Sequence, residues 1–448
     1  MKKRAEKIKR LYPVQILCIG FAVLIFIGAI LLSLPISSAK GTETSLVDAF
    51  FTSTSAVCVT GLVTLDTGTY WSYFGKTVII VLIQIGGLGF MAFATLLSLI
   101  LGKKITLRER LVMRESMVTF RLQGIVRLAR YILIFTFTAE FIGAALLATQ
   151  FIPRLGFLKG LYYSIWHSIS AFCNAGFDII GYGKSVTGYN QNLVILVTLS
   201  ILIVVGGLGF IVWWELFQYR DIKRISTHSK VVLFVTAVLI FLGALLILVF
   251  EYNNPETLKN LPFVHKISNS FFSAITPRTA GFNSISTSGM TTAGIILTMI
   301  LMFIGGSPGS TAGGIKTTTI GVMIMTVVSV IKGKEDTEIF KRKIPKSTVY
   351  KSLAVNIIAF MMLSIVVIIL SVTEIRAGFR EILYEATSAL GTVGLTLGIT
   401  SELSSVSKVV LMITMYCGRV GLLTVVTALY ARKNVSGVKY PEDKIVVG

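Results

Sequence analysis

The sequence predicts an all-α membrane protein: four tandem span–pore loop–span repeats, with eight transmembrane helices and four re-entrant pore helices around one pseudo-fourfold pore. Three observations predict it. First, only 14% of residues are charged and the mean hydropathy is +0.81, whereas soluble domains are about a quarter charged. Second, apolar runs long enough to cross a bilayer, about 20 residues each, begin near Pro13, Thr77, Ala129, Leu193, Val231, Ala293, Leu353 and Val406. Third, a short motif ending in Gly recurs four times between these runs.

The net charge of +21 is concentrated. Clusters at the N-terminus, Lys103 to Arg130, Arg220 to Lys230, Lys332 to Lys351 and Arg432 to Lys444 hold 29 of the 42 Lys and Arg. They follow every second span or form the termini, so the positive-inside rule places them and both termini in the cytoplasm. The charge is therefore a topology signal, with lipid head groups as its partner, and it does not call for a nucleic acid. Cys18, Cys58, Cys173 and Cys417 fall in spans or re-entrant loops without a CxxC pair, so neither a metal centre nor a disulfide framework is expected. The first apolar run is too long for a cleavable signal and reads as the first span.

The four re-entrant stretches align on Gly61, Gly176, Gly281 and Gly394. Ten positions earlier stand Phe51, Trp166, Phe271 and Tyr384; eight earlier stand Ser53, Ser168, Ser273 and Ala386. Leu62, Phe177, Phe282 and Leu395 follow directly. Each second span carries a further motif: Gly86-Gly87-Leu88-Gly89, Gly206-Gly207-Leu208-Gly209, Gly305-Gly306-Ser307-Pro308 and Gly418-Arg419-Val420-Gly421. These second-span glycines read as helix-packing positions. The repeats run 1–103 (pore loop 46–62), 104–220 (pore loop 161–177), 221–345 (pore loop 267–282, second span broken at 305–314) and 346–448 (pore loop 379–395, then a cytoplasmic tail).

Backbone that is not helical survives at membrane depth only when packed in protein or lining water. A half-helix aims its partially negative C-terminus at the centre, and Gly reaches the positive φ that turns successive carbonyls toward an axis. Four such loops can replace a cation's hydration shell. The candidate carbonyls belong to Cys58, Val59, Thr60 and Gly61; Cys173, Asn174, Ala175 and Gly176; Arg278, Thr279, Ala280 and Gly281; and Gly391, Thr392, Val393 and Gly394. The fourth loop comes nearest the Thr-Val-Gly-Tyr-Gly pattern of potassium filters.

With these motifs, and with Thr276-Pro277-Arg278-Thr279-Ala280-Gly281-Phe282, the chain resembles the membrane subunit of the Ktr/Trk/HKT superfamily of potassium transporters over essentially its whole length. It opens directly on the first repeat, which favours the pore-forming membrane subunit of Ktr systems (the KtrB type) over Trk-type subunits with two extra spans. The resemblance implies gated potassium uptake across a bacterial plasma membrane. It also implies a homodimer with one pore per subunit, and a cytoplasmic ring of nucleotide-binding regulatory subunits. Any nucleotide then sits on that partner, and this chain's only ligand is the potassium ion.

Several polar residues need partners. Arg419 interrupts an apolar span at the position of Gly87, Gly207 and Gly306, where burial costs about 2.5–3.5 kcal/mol on insertion scales. The third second span is broken by Gly305, Gly306, Ser307, Pro308, Gly309, Ser310, Thr311, Ala312, Gly313 and Gly314, then Lys316, a composition that cannot sustain a helix. This loop and Arg419 are the candidate gate. Glu140 and Asn356 are expected to pair with pore-helix or loop groups, Arg278 to brace its loop and His167 to be a core residue. The basic loop Lys332 to Lys346 and the tail are candidate docking surfaces. The competing class is a sodium-coupled secondary transporter with broken helices at the midplane. An enzyme is not expected, since no acid, base, nucleophile or metal set is discernible.

Overall fold

The computed structural model describes residues 12–89, 111, 125–219 and 225–429. The N-terminal basic run, most of the Lys103 to Arg130 cluster, Arg220 to Arg224, the basic tail and the repeat boundaries at 103/104 and 220/221 lie outside the described residues.

One order of elements recurs four times. A long apolar helix opens each unit: α1 (Pro13–Ser33), α4 (Ile125–Leu155), α8 (Thr227–Glu251) and α12 (Lys346–Thr373). A short helix follows: α2 (Leu46–Val57), α5 (Phe157–Phe172), α9 (Phe263–Ile275) and α13 (Phe379–Gly391). A second apolar helix closes the set: α3 (Tyr73–Leu88), α6 (Leu193–Gly207), α10 (Thr292–Phe303) and α14 (Ser405–Val420).

The start of each closing helix has a local cause. Ser72, Asn192, Thr291 and Ser404 each accept a hydrogen bond from the backbone N–H three residues on, at 3.1–3.3 Å, satisfying one of the orphan donors of a first turn. Each short helix packs against the long helix before it. In the first two units Ser53 and Ser168 donate to the carbonyls of Ile25 and Glu140 at 2.7 and 2.6 Å. Gly28 and Gly143 sit against those two serines, where a Cβ would collide.

The closing helices depart from the expectation of single spans. α6 is followed by α7 (Phe210–Phe217) at a 94° bend, and α14 by α15 (Leu422–Leu429), the second pair bent by 96°. Gly209 and Gly421 at the two corners have φ of 94° and 98°, a region that side chains with a Cβ avoid. Between α10 and α11 (Thr317–Ile331) the chain is non-helical over the predicted Gly-rich loop. The described residues contain four helices long and apolar enough to cross a membrane, or up to six if each bent pair is one span. The first glycine of the motif packs as predicted: Gly86, Gly206 and Gly418 lie against the carbonyls of Val57, Phe172 and Leu390 in the last turns of α2, α5 and α13. The motif therefore combines close packing with a helix stop.

The segment after α11 is a small hairpin, β1 (Glu338–Ile339) against antiparallel β2 (Arg342–Lys343). Ile339 is buried with Val231 of α8 and Val322 of α11. The pairs Lys334–Glu338 and Lys343–Asp336 span it at 2.5 and 2.6 Å; being exposed, each adds at most about 1 kcal/mol.

Candidate permeation site

The four loops after α2, α5, α9 and α13 meet in one ring. A Cβ built on Gly61 would strike the carbonyl of Ala175, and one on Gly176 that of Ala280. One on Gly281 would strike Val393, and one on Gly394 would strike Thr60. Each glycine thus faces the next loop, and the fourth returns to the first. Their φ angles are 93°, 69°, 77° and 92°. Two positions earlier, Val59, Asn174, Thr279 and Thr392 are also left-handed, with φ of 56°, 59°, 72° and 51°. For residues with a Cβ this costs roughly 1–2 kcal/mol each, and such strain persists only where the surroundings over-determine it.

Those surroundings include groups that the sequence pattern alone did not single out. The hydroxyls of Ser55 and Ser388 accept from the N–H groups of Gly61 and Gly394 at 3.1 and 3.0 Å. Those of Ser170 and Thr276 donate to the carbonyls of Phe177 and Phe282 at 2.6 and 2.7 Å. A serine six positions before the glycine in three of the four motifs was the available signal.

Beneath the ring lies the loop Gly305 to Gly314. A parallel bridge between Ile304 and Ile315 closes its neck. Thr311 reaches up: its hydroxyl lies 3.1 Å from the carbonyl of Phe172 and 3.0 Å from Asn174 Oδ1, while Gly313 abuts Thr392. Ser307 and Thr311 donate backbone N–H groups to Gly207 and Gly206 at 3.0 and 3.2 Å, and Phe210 donates to Gly309 at 2.9 Å. The loop thus fills the break between α6 and α7.

Arg419 lies half-buried against this loop. Its Nη1 donates to the carbonyl of Thr311, and its Nη2 to Gly86 and, at 3.0 Å, Gly87. Lys316 Nζ donates to Ala312 and Gly313 at 2.8 and 3.3 Å. Both cations line a cavity of about 150 Å³ with Phe21, Gly87, Gly309 and Ser310. The carbonyl cluster that holds Arg419 therefore includes an atom of the candidate gate loop.

The remaining polar residues sort cleanly. The Glu140 carboxylate lies 3.9 Å from Cys173 Sγ, behind the second loop. Arg278 turns from the axis to Thr236 Oγ1 of α8, at 3.3 Å. His167 lies in the core, with Nδ1 2.7 Å from the Tyr163 carbonyl. Asn356 differs from expectation: its Nδ2 donates to Ser352 on its own helix at 2.8 Å, because one turn of helix already offers a carbonyl within reach.

Just beyond the second loop, Asp178 accepts from the N–H groups of Ile180 and Gly181 at 3.0 and 3.4 Å. Burial pushes its carboxyl up to about 6; the two N–H groups oppose this and nearby Asp66 adds to it. Above that pH Asp178 is an anion at the mouth of the ring, and below it the charge is lost. At water's dielectric, which gives the smallest effect, a unit charge acting over about 8 Å is worth roughly 0.5 kcal/mol. Lowering external pH from 7.5 to 5.5 is therefore expected to reduce cation influx at low concentration about twofold. Asp178→Asn should flatten that dependence when influx is measured across external pH.

A repeated half-helix ring above a folded loop and a half-buried arginine defines a membrane protein built to pass small cations. The comparisons give the same class. The family described as "TrkH: Cation transport protein" matches residues 12–436. The chain is 44% identical to the potassium/sodium uptake protein NtpJ of Enterococcus hirae, over 100% of this chain and 99% of that one. It is 41% identical to the Ktr system potassium uptake protein B of Bacillus subtilis, with the same coverages. The crystal structure of the potassium transporter TrkH from Vibrio parahaemolyticus aligns with a TM-score of 0.72 at 18% identity, covering 96% of this chain and 86% of that one, a likeness of fold. The chain belongs to the TrkH family of cation transport proteins.

Proposed function

We propose that the protein takes up potassium ions across a bacterial plasma membrane through a gated, channel-like pore. The observation that carries this reading is the closed succession of Gly61, Gly176, Gly281 and Gly394, each against the next loop's backbone. In it the carbonyls of Cys58 to Gly61, Cys173 to Gly176, Arg278 to Gly281 and Gly391 to Gly394 bind the ion, helped by four helix C-termini. Eight spans surround the path. Two full-length relatives, one a potassium/sodium uptake protein and one a potassium uptake protein, support potassium as a cation carried. A coupled sodium-dependent transporter is less well supported, since four loops about one axis are not the paired inverted halves of such carriers. Purified protein in liposomes should pass potassium down its gradient and prefer it to sodium; flux that requires a sodium gradient would overturn the reading.

Arg419 and the loop Gly305 to Gly314 act as the gate. The chain forms a homodimer, and a cytoplasmic nucleotide-binding ring docks on the basic hairpin region Lys332 to Lys346 and on the tail, with lipid head groups as further contacts. Both termini then face the cytoplasm. A cysteine introduced at Lys341 should react with an impermeant reagent only after the cells are opened; labelling in intact cells would contradict this topology.

A further inference from the structure

We propose that Ser55, Ser170, Thr276 and Ser388 are positioning residues for ion selectivity and that they work in two unlike pairs. The proposal rests on the filter reading above. All four side chains are buried at the ends of the short helices, with exposures of 0%, 0%, 4% and 0%. A buried hydroxyl must find a partner, and each finds one in its own loop. In the first and fourth loops the hydroxyl accepts from the glycine N–H, at 3.1 and 3.0 Å. This holds the peptide whose φ must stay positive. In the second and third loops the hydroxyl donates to the carbonyl one residue beyond the glycine, at 2.6 and 2.7 Å. This draws the Phe177 and Phe282 carbonyls toward their helices, whereas Leu62 and Leu395 have no such donor among the described residues.

The cause of the third loop's variation is visible in sequence. Its sixth position before the glycine is Ile275, and Thr276, one residue later, takes over the role. The ring is thus fourfold in its glycines, while its bracing divides it into two adjacent halves. The two pairs should have different consequences. Losing an acceptor at Ser55 or Ser388 frees a glycine peptide and weakens discrimination. Losing a donor at Ser170 or Thr276 frees an outer carbonyl and changes how external ions enter.

The test is potassium and sodium flux through purified full-length protein in liposomes. Ser55→Ala and Ser388→Ala should lower the potassium-to-sodium flux ratio about fivefold, the worth of one hydrogen bond of about 1 kcal/mol. Ser170→Ala and Thr276→Val should chiefly shift the external potassium concentration that gives half-maximal flux. Ser388→Thr and Thr276→Ser, which keep the hydroxyl, should restore wild-type values. If an alanine variant does not fold, the Ser→Cys variant at that site, nearly equal in shape but a weaker hydrogen-bond partner, should move in the same direction. Folded variants with wild-type ratio and half-saturation would overturn the inference while leaving the filter reading intact. A wild-type protein that does not prefer potassium would overturn both.

Discussion

Replacing Gly61 by serine is expected to lower the potassium-to-sodium flux ratio about tenfold while potassium flux persists. Gly61 has a φ of 93°, and a Cβ there meets the Ala175 carbonyl and, at 3.3 Å, the Gly176 Cα. A left-handed non-glycine residue costs roughly 1–2 kcal/mol, and 1.4 kcal/mol is a factor of ten. The loop relieves the collision by moving away from its neighbour, which widens one quarter of the ring. The new hydroxyl also offers an oxygen that a smaller, more strongly hydrated cation can use. Because the contacts run in a circle, serine at Gly176, Gly281 or Gly394 should act in the same direction. Relative potassium and sodium fluxes in liposomes check this; an unchanged ratio in folded Gly61→Ser protein would count against the filter.

Removing Arg419 should raise potassium flux in the absence of any partner, by up to about a hundredfold. Two effects combine. A fixed cation about 5 Å from a permeating ion, at an effective dielectric near 20, raises its energy by roughly 3 kcal/mol, which is around a hundredfold. Arg419 also ties the loop at Thr311 to the end of α3 at Gly86 and Gly87, through charge-assisted bonds worth about 1.5–3 kcal/mol each. Arg419→Lys separates the two effects: it keeps the charge, loses the fork, and should give an intermediate flux. Shortening the loop within Gly305 to Gly314 should also open the path. The double change should give less than the sum of the two free energies, because both act on one barrier. Partner-free flux at the wild-type level in folded single variants would place the gate elsewhere.

The repeat, the short helices and the ring glycines were legible because each rests on a residue type that physics makes nearly obligatory: apolar runs for lipid, glycine for positive φ. The loop after Phe303 was legible for the same reason, since its glycines and Pro308 forbid a helix. The sharp turns at Gly209 and Gly421 were not. Glycine in an apolar helix reads equally as a packing site, and the positive φ that makes these two a corner is not announced by the residue type. The left-handed Val59, Asn174, Thr279 and Thr392 were hidden because nothing in those side chains announces the conformation; the neighbouring loops impose it. Asn356 was misjudged because its nearest acceptor belongs to its own helix, which sequence spacing does not reveal.

The most direct test of one four-loop, potassium-selective path is the reversal potential of purified protein in a bilayer with potassium on one side and sodium on the other. The account predicts a potential close to that of potassium alone in the wild-type protein, and a shift toward the sodium value in each of the four glycine-to-serine variants. A wild-type reversal potential midway between the two ions, or one that no ring glycine moves, would contradict it.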